Sequence, residues 1–143
     1  MTTTPALPAP EPRTDPADAG YWAAAATGVA TVSRCPHCDV LIWHPRSRCP
    51  RCTRSGLELR PVSGDGVVYS FTVNRRPAGA FKGLDAVVIA YVELAEGPRI
   101  LTNLVDVAPD DVRIGLPVRA VHTPTAEGSG ILRFAPAEVP DAE

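Results

Sequence analysis

The chain has 143 residues, of which 45% are hydrophobic, and a formal net charge of −2. This length predicts one domain or two small ones, and the charge gives no general reason to expect a polyanionic partner. No apolar run approaches the ~20 residues of a membrane helix, and no charged segment followed by an apolar one opens the chain. These features predict a cytoplasmic protein without a membrane partner.

The first segment, residues 1–15, consists mostly of Thr, Pro and Ala, with prolines at positions 5, 8, 10 and 12. It has too little large apolar surface to offset the entropy of ordering. We therefore expect a disordered arm, or an arm that orders on a partner. Residues 137–143 are expected to form a disordered tail.

One helix is predicted within residues 16–30, which are rich in alanine. Asp15 is suited to the N-cap, Pro16 to the first helical position, and Gly28 to the C-terminal stop. Tyr21 and Trp22 are the large side chains of this helix. They can pack on the rest of this chain or on another subunit, and the sequence leaves both possibilities open.

All four cysteines lie in two C-P-x-C knuckles, Cys35 with Cys38 and Cys49 with Cys52. Two such pairs separated by a short loop are typical of a tetrahedral thiolate site for one structural zinc ion. Iron is the alternative metal, because rubredoxin uses the same four thiolates. A pair of disulfides is disfavoured, because no secretory segment precedes the cysteines.

The residue after each knuckle favours a left-handed backbone conformation, which glycine adopts most easily. Asp39 and Thr53 occupy these places. Asp tolerates this conformation but β-branched Thr does not, so we expect the second knuckle to be less regular. His37 and His44 lie near the cysteines. They are predicted to be surface residues, because four thiolates already complete the site.

Residues 31–62 are predicted to form a zinc ribbon with short strands at 31–34, 40–44 and 57–62. Residues 34–60 hold six arginines against two acids, a formal charge of +4. Four thiolates on one zinc ion subtract two charges. The arginines can offset these thiolates or recognise a phosphate or an acidic partner surface, and both interpretations remain open.

Residues 63–136 are predicted to form a small barrel, because β-branched residues alternate between glycine-containing turns. The segment 67–73 places Val67, Tyr69, Phe71 and Val73 on one face, and 86–94 is apolar enough for a central strand buried on both faces. Strands at 99–107, 117–123 and 131–134 complete five, which is typical of an OB-fold. The predicted fold is therefore mainly β: an N-terminal helix, a rubredoxin-like zinc ribbon and a five-stranded OB-fold barrel.

Several stretches in this order carry a resemblance to one family. They are Tyr21-Trp22, the segment 43–46 (WHPR) before the second knuckle, and the barrel segments 64–73 (GDGVVYSFTV), 90–100 (AYVELAEGPRI) and 114–118 (IGLPV). With them, residues 16–136 resemble the rubredoxin-like zinc ribbon plus OB-fold family of acyl-CoA-associated proteins.

The resemblance implies a non-catalytic accessory subunit of a thiolase-superfamily enzyme, either a thiolase, an acyltransferase or an aldolase. The implied partner is a thiolase-fold dimer, possibly together with a hydratase, and the implied substrate is a steroid, lipid or aromatic acyl-CoA shared with that partner. The residues agree in one respect. The cysteines are used for metal, and a closed tetrathiolate zinc site has no position for substrate.

Two sets of candidate residues follow. Arginine binds phosphate groups with two parallel hydrogen bonds, so the loop at 74–85 is a candidate CoA contact, with Phe81 placed to lie against adenine; its residues are Arg75, Arg76, Phe81 and Lys82. The alternative is a solvated loop. The candidate partner interface is formed by aromatic anchors, which dominate binding energy at interfaces; these are Tyr21, Trp22 and Trp43.

Two other functions are considered. An OB-fold with a zinc ribbon can bind single-stranded nucleic acid, through a positive groove and exposed aromatic side chains. The acidic barrel and an aromatic content of 6% argue against this function, with Tyr69 and Phe71 expected in the core. A free electron carrier would require iron at the knuckles.

Overall fold

The order of elements follows the predicted order of helix, ribbon and barrel. A computed structural model describes residues 6–137, so the first five residues of the predicted arm and residues 138–143 of the predicted tail lie outside the described residues. The elements are α1 Ala19–Ala26, β1 Thr31–Arg34, β2 Leu41–Ile42, β3 Glu58–Pro61, β4 Asp65–Asn74, β5 Val87–Leu94, β6 Arg99–Leu104, β7 Pro117–Pro124 and β8 Gly130–Pro136.

Helix α1 begins three residues later than position 16, where the sequence predicted it. Asp15 does not cap it: its carboxylate accepts a hydrogen bond from the Ala17 N–H at 2.7 Å, and the Asp15 N–H donates to Asp18 Oδ1 at 2.8 Å. These bonds form a turn that delays the helix. The predicted stop at Gly28 is confirmed. Its φ is +83°, and its N–H donates to the Ala25 carbonyl.

The ribbon is a three-stranded antiparallel sheet in the order β2-β1-β3. The central strand β1 is identical in extent to the predicted strand 31–34 and is almost fully buried, because the other two strands flank it. The first knuckle lies between β1 and β2, and the second lies between β2 and β3.

The barrel closes in the order β4-β5-β6-β8-β7, which confirms the predicted five-stranded OB-fold. The register of β4 against β5 shifts between Val68 and Ser70, which is a β-bulge. The prediction that one face carries Val67, Tyr69, Phe71 and Val73 is therefore wrong. Val68 points into the core, whereas Val67 and Tyr69 are exposed, and only after the bulge do Phe71 and Val73 pack against the core.

Strand β5 also differs from its prediction, because its second face is fully buried only at Val87. Val88, Ala90, Val92 and Leu94 point into the barrel, whereas Tyr91 is exposed. Apolar residues on both faces of a strand do not require burial on both faces. The tyrosine belongs to the outer surface.

The ribbon and the barrel share one hydrophobic core. Ala30 and Val32 of the ribbon side belong to the same buried cluster as Val92 and Phe134 of the barrel, and Trp43 packs against it. A smaller cluster holds Cys35, Ile42 and Cys49. The predicted ribbon and barrel, divided near residue 62, therefore pack against each other through this core.

Residues 6–15 have no regular secondary structure, but part of this segment lies against the barrel. The Leu7 carbonyl accepts a hydrogen bond from Arg133 Nη1 at 3.2 Å, and the Glu11 carboxylate accepts one from the Glu127 N–H at 2.8 Å. No sequence pattern predicted these contacts with the barrel. None of the helices within residues 6–137 has the length and apolar character needed to cross a membrane.

Candidate metal centre and surrounding surfaces

Each knuckle is a tight turn that places two sulfur atoms on the same side. In the first knuckle the Asp39 N–H donates to the Cys35 carbonyl at 2.8 Å, and the Cys35 N–H donates to the Val40 carbonyl at 3.0 Å. In the second, the matching bonds join Thr53 to Cys49 at 2.9 Å and Cys49 to Arg54 at 2.9 Å. The two knuckles therefore have the same backbone hydrogen bonds.

The prediction that the second knuckle is less regular is wrong. Thr53 adopts a φ of +66°, nearly the same as the +65° of Asp39. Its hydroxyl donates to the Cys52 carbonyl at 2.6 Å, and its own carbonyl accepts from Arg48 Nη1 at 3.2 Å. These bonds hold a β-branched residue in a conformation that costs it steric energy.

The four sulfur atoms form one cluster of tetrahedral size. All lie within 4.8 Å of one another, and the pairs Cys35–Cys52 and Cys38–Cys49 are 3.6 Å apart. Four thiolates at ~2.3 Å from a zinc ion are about 3.8 Å apart. The distances thus fit one zinc ion and are far longer than the ~2.05 Å of a disulfide.

The backbone around the cluster favours thiolates, which are the form that binds metal. Although burial disfavours the charged form, the N–H groups of Cys52 and Arg51 lower the pKa of Cys49 to about 6. These groups point at Cys49 Sγ from 3.5 and 3.4 Å. Against this backbone effect, burial and the neighbouring sulfur atoms raise the pKa of Cys38 to about 11 and raise that of Cys52 as well, so metal binding releases protons from these two thiols.

The arginines near the cluster fall into two groups. Arg34 contacts Asp39 at 2.6 Å and Glu58 at 3.5 Å, so it serves the ribbon itself. Arg46 and Arg51 form no ion pair within residues 6–137 and are exposed. His37 is exposed as predicted. His44 is half-buried rather than fully on the surface, and its ring centroid is 5.3 Å from those of both Tyr21 and Trp43.

The three predicted interface aromatics belong to this same aromatic cluster. Tyr21 is 4% exposed and lies edge-on to Trp22, with ring centroids 5.1 Å apart. Burial raises the pKa of Tyr21, and the nearby Trp43 indole opposes that rise. Trp22 and Trp43 are half-buried. The cluster joins α1 to the ribbon, which is the internal use that the sequence left open for Tyr21.

The candidate CoA loop lies between β4 and β5, with a 3-10 turn at Gly79–Phe81. Arg75, Arg76 and Lys82 are exposed, and Phe81 is half-buried. Arg75 lies 3.8 Å from Asp110 and lines a cavity of about 540 Å³ together with Leu84, Val87 and Val107. The structure thus places the four residues on one loop, but only Arg75 reaches the cavity.

The outer face of the barrel carries an exposed apolar patch that was not predicted from the sequence. Three side chains from adjacent strands form this outer patch: Tyr69 is 46% exposed, Tyr91 44% and Leu101 47%. Tyr91 and Leu101 are paired in the sheet, and Arg99 lies over the Tyr69 ring at 3.7 Å. The register shift at the bulge brings Tyr69 to this face. No sequence pattern placed that bulge.

Two family models match successive parts of the chain. Residues 22–59 match the model of the ChsH2 rubredoxin-like zinc ribbon domain, and residues 59–123 match that of the ChsH2 C-terminal OB-fold domain. A DUF35 domain-containing scaffold protein of Methanothermobacter thermautotrophicus is 38% identical over 98 residues, which cover 68% of this chain and 74% of that protein. The chain belongs to the DUF35 family.

Two further relatives are longer than this chain's match to them. The probable enoyl-CoA hydratase alpha subunit of Thermomonospora curvata is 37% identical over 76% of this chain, but the match spans only 34% of that protein. The 3-oxo-4,17-pregnadiene-20-carboxyl-CoA hydratase alpha subunit of Mycobacterium tuberculosis is 45% identical over 60 residues, 19% of its length. In both, the matched region is a minor part of the hydratase alpha subunit.

Solved structures support the same DUF35 architecture. A chain of the Ltp2-ChsH2(DUF35) aldolase superposes with a TM-score of 0.80 at 33% identity, over 90% of this chain and all of that one. A DUF35-family protein of unknown function from Sulfolobus solfataricus, at 20% identity and a TM-score of 0.61, shares the fold. The four cysteines of this chain are therefore positioned, in a zinc ribbon, to bind one metal ion.

Proposed function

We propose that this protein is a zinc-binding scaffold subunit that docks on a thiolase-fold enzyme acting on acyl-CoA. The observation that carries the proposal is that a chain of the Ltp2-ChsH2(DUF35) aldolase superposes on this protein over all of that chain's length. The partner's reaction is carbon–carbon bond chemistry of the aldolase, thiolase or acyltransferase type. A steroid, lipid or aromatic side chain is the proposed acyl group.

The reaction is assigned to the partner for a chemical reason. A zinc ion with four thiolate ligands has no open position for water or substrate, so it contributes stability rather than catalysis. In the described residues the four cysteines form the one cluster with metal-ligand geometry. We expect zinc to fix the shape of the ribbon, and the ribbon to fix where the barrel meets its partner.

The outer patch is the proposed docking surface for the partner. Tyrosine side chains near the centre of an interface are among those that supply most of its binding energy, and the patch contains two. The ion pair beside the patch, Arg99 with Glu93 at 3.0 Å, leaves this part of its rim electrically balanced. An apolar centre with a balanced polar rim suits a protein partner. Trp22 is a second candidate contact, because it is half-buried.

The loop with Arg75, Arg76, Phe81 and Lys82 is the proposed point at which bound CoA meets this subunit. Guanidinium groups suit the phosphates and the Phe81 ring suits adenine. The weak contact between Arg75 and Asp110, at 3.8 Å, leaves that guanidinium available for a phosphate. Exchanging Arg75 and Arg76 together for alanine is expected to weaken CoA binding by the complex more than it weakens assembly.

Co-purification tests the scaffold role. The tagged chain is expected to recover an acyl-CoA enzyme from its native host, identified by mass spectrometry, and light scattering is expected to show a stable hetero-oligomer. Tyr91→Glu is expected to weaken assembly by about 2 kcal/mol or more, because a charge would enter the apolar centre of the interface. Val29→Glu is the matched control, since Val29 is 38% exposed and lies between α1 and β1 rather than on the barrel strands of the patch.

Two results would contradict the scaffold role. One is a stable monomer that recovers no acyl-CoA enzyme. The other is equal loss of assembly from both glutamate variants, which would remove the outer patch as the docking surface.

The alternative function, binding of single-stranded nucleic acid, gains one observation from the structure. Tyr69 on β4 and Tyr91 on β5 are exposed rather than buried, and exposed aromatic rings are what bases stack on. The patch lacks the positive groove that such proteins also use, because Arg99 and Arg119 are paired with acids. Titration with a labelled oligothymidine separates the two functions.

A further inference from the structure

A buried arginine lies on the outer side of β8. Arg133 is 2% exposed and forms no ion pair within residues 6–137. Its Nη1 donates to the Leu7 carbonyl at 3.2 Å and to Thr123 Oγ1 at 3.3 Å, and its Nη2 donates to the Pro8 carbonyl. Its Nε is buried without a partner. The arm therefore buries this guanidinium.

A second contact holds the arm three residues further along. The Glu11 carboxylate accepts a hydrogen bond from the Glu127 N–H at 2.8 Å, in the turn between β7 and β8. The same turn is closed by the Ser129 N–H, which donates to Thr125 Oγ1 at 2.8 Å. Hydrogen bonds from Thr125, Glu127 and Ser129 lower the pKa of Glu11. The carboxylate is thus bound as an anion.

The composition of the arm suits this mode of binding. Pro8, Pro10 and Pro12 have no N–H groups and favour an extended polyproline conformation, so this part of the arm offers more backbone acceptors than donors. Apart from the Glu11 carboxylate, the arm atoms that accept these hydrogen bonds are backbone carbonyl oxygens. Another extended segment with prolines and one carboxylate can make the same contacts.

We propose that the outer side of β8 is a binding groove for an extended, proline-rich segment that carries a carboxylate, and that a partner chain supplies such a segment in place of this chain's own arm. Residues 7–11 are then an internal occupant. Release of the arm would expose Arg133 and remove Ala6 and Leu7 from the wall of the 540 Å³ cavity. This recognition site is separate from the outer patch and does not depend on an acyl-CoA partner.

A labelled peptide with the sequence of residues 6–13 tests the groove, used with the full-length zinc-loaded chain. Glu11→Gln weakens the chain's own arm and leaves the groove intact, so the peptide is expected to bind about tenfold more tightly than to the unaltered chain. Arg133→Lys also releases the arm but removes the forked donor, so peptide binding is expected to be lost.

Trypsin cleavage after Arg13, an exposed residue beside the Glu11 contact, measures arm release independently. Both variants are expected to be cleaved about tenfold faster than the unaltered chain. If Arg133→Lys loses its zinc or its near-ultraviolet dichroism, Thr123→Val replaces it, because Thr123 accepts a hydrogen bond from Arg133. Equal peptide binding by the arm-side and groove-side variants would overturn the proposal. So would no binding by Glu11→Gln at millimolar peptide.

Discussion

Thr53 has a strained backbone conformation in the turn that forms the second cysteine knuckle. Its φ of +66° lies in the left-handed region, which costs a β-branched residue about 1–2 kcal/mol. The knuckle needs this conformation because the Thr53 N–H must reach the Cys49 carbonyl. The strain is therefore imposed by the turn that places the sulfurs.

Thr53→Asn is expected to stabilise the ribbon by about 1 kcal/mol, since Asn tolerates the left-handed region better than any β-branched residue. The midpoint of thermal unfolding of the zinc-loaded protein measures the change. Thr53→Val keeps the branched shape and loses the hydroxyl, so it is expected to lower the midpoint. A lower midpoint for the Asn variant would show that the hydroxyl bond to Cys52 outweighs the strain.

Glu11 gives the arm a dependence on pH. Because docking lowers the pKa of Glu11, its contribution to docking is present above the ordinary value of 4.5. That contribution is lost as the pH falls through the lowered pKa. The amide resonance of Glu127 is expected to titrate with a midpoint below 4.5. In Glu11→Gln this titration should be absent, and its persistence would assign the midpoint to another acid.

Single residues also mark what the sequence could and could not predict. The four cysteines, their spacing and the glycine at the end of α1 have local signatures, and the structure places them as expected. Tyr69 and Arg133 have none. A bulge brings Tyr69 outward, and backbone carbonyls from a segment more than a hundred residues away cover Arg133. Contacts of that kind depend on tertiary structure alone.

At the scale of elements, the contact between α1 and β8 is unusually close. A Cβ on Gly130 would clash with the backbone carbonyl group of Ala25. A Cβ on Gly20, on the same helix, would meet only the flexible end of Leu59, whose Cδ1 lies 2.7 Å away. Backbone cannot move aside without shifting the helix, whereas an exposed leucine can change rotamer.

Gly130→Ala is therefore expected to destabilise the protein by about 1–3 kcal/mol, because overpacking displaces α1. Gly20→Ala is expected to be neutral or stabilising, by up to about 1 kcal/mol, since alanine favours the helix. Denaturant unfolding of the two variants measures both values. Equal effects would mean that α1 does not pack on β8 as closely in solution.

Elements were the scale at which the sequence was most informative. β1 has the predicted bounds, and every other strand overlaps its prediction, because alternating β-branched residues and glycine turns are local signals. The start of α1 was misplaced because Asp15 and Asp18 bond to each other instead of capping it. The prediction that both faces of β5 are buried was wrong because nothing in the sequence distinguishes the exposed Tyr91 from a buried tyrosine.

At the scale of the whole molecule, the shared core couples the metal to the barrel. Ala30, Val32 and Trp43 pack with barrel residues, so loss of the ribbon would expose apolar surface on both sides. The folding free energy that zinc supplies, on the order of 10–16 kcal/mol in small zinc domains, therefore stabilises the barrel as well as the ribbon.

Zinc removal is expected to unfold the ribbon and to lower the stability of the barrel in the same transition. Cys49→Ser is expected to reproduce the effect without a chelator. Amide hydrogen exchange of β5 measures the barrel, and elemental analysis measures zinc, with close to one ion per chain expected. Unchanged exchange in β5 after complete zinc loss would show that the barrel folds independently of the ribbon.

The loop after β4 also makes the protein easy to label chemically. Lys82 is the one lysine among thirteen arginines, and it is exposed at the end of the 3-10 turn. Amine-directed reagents can therefore react with this chain at one side chain and at the terminal amine. A crosslink from Lys82 to a partner would report the surroundings of this loop alone, so one mass-spectrometric experiment would locate it in an assembly without any engineered residue.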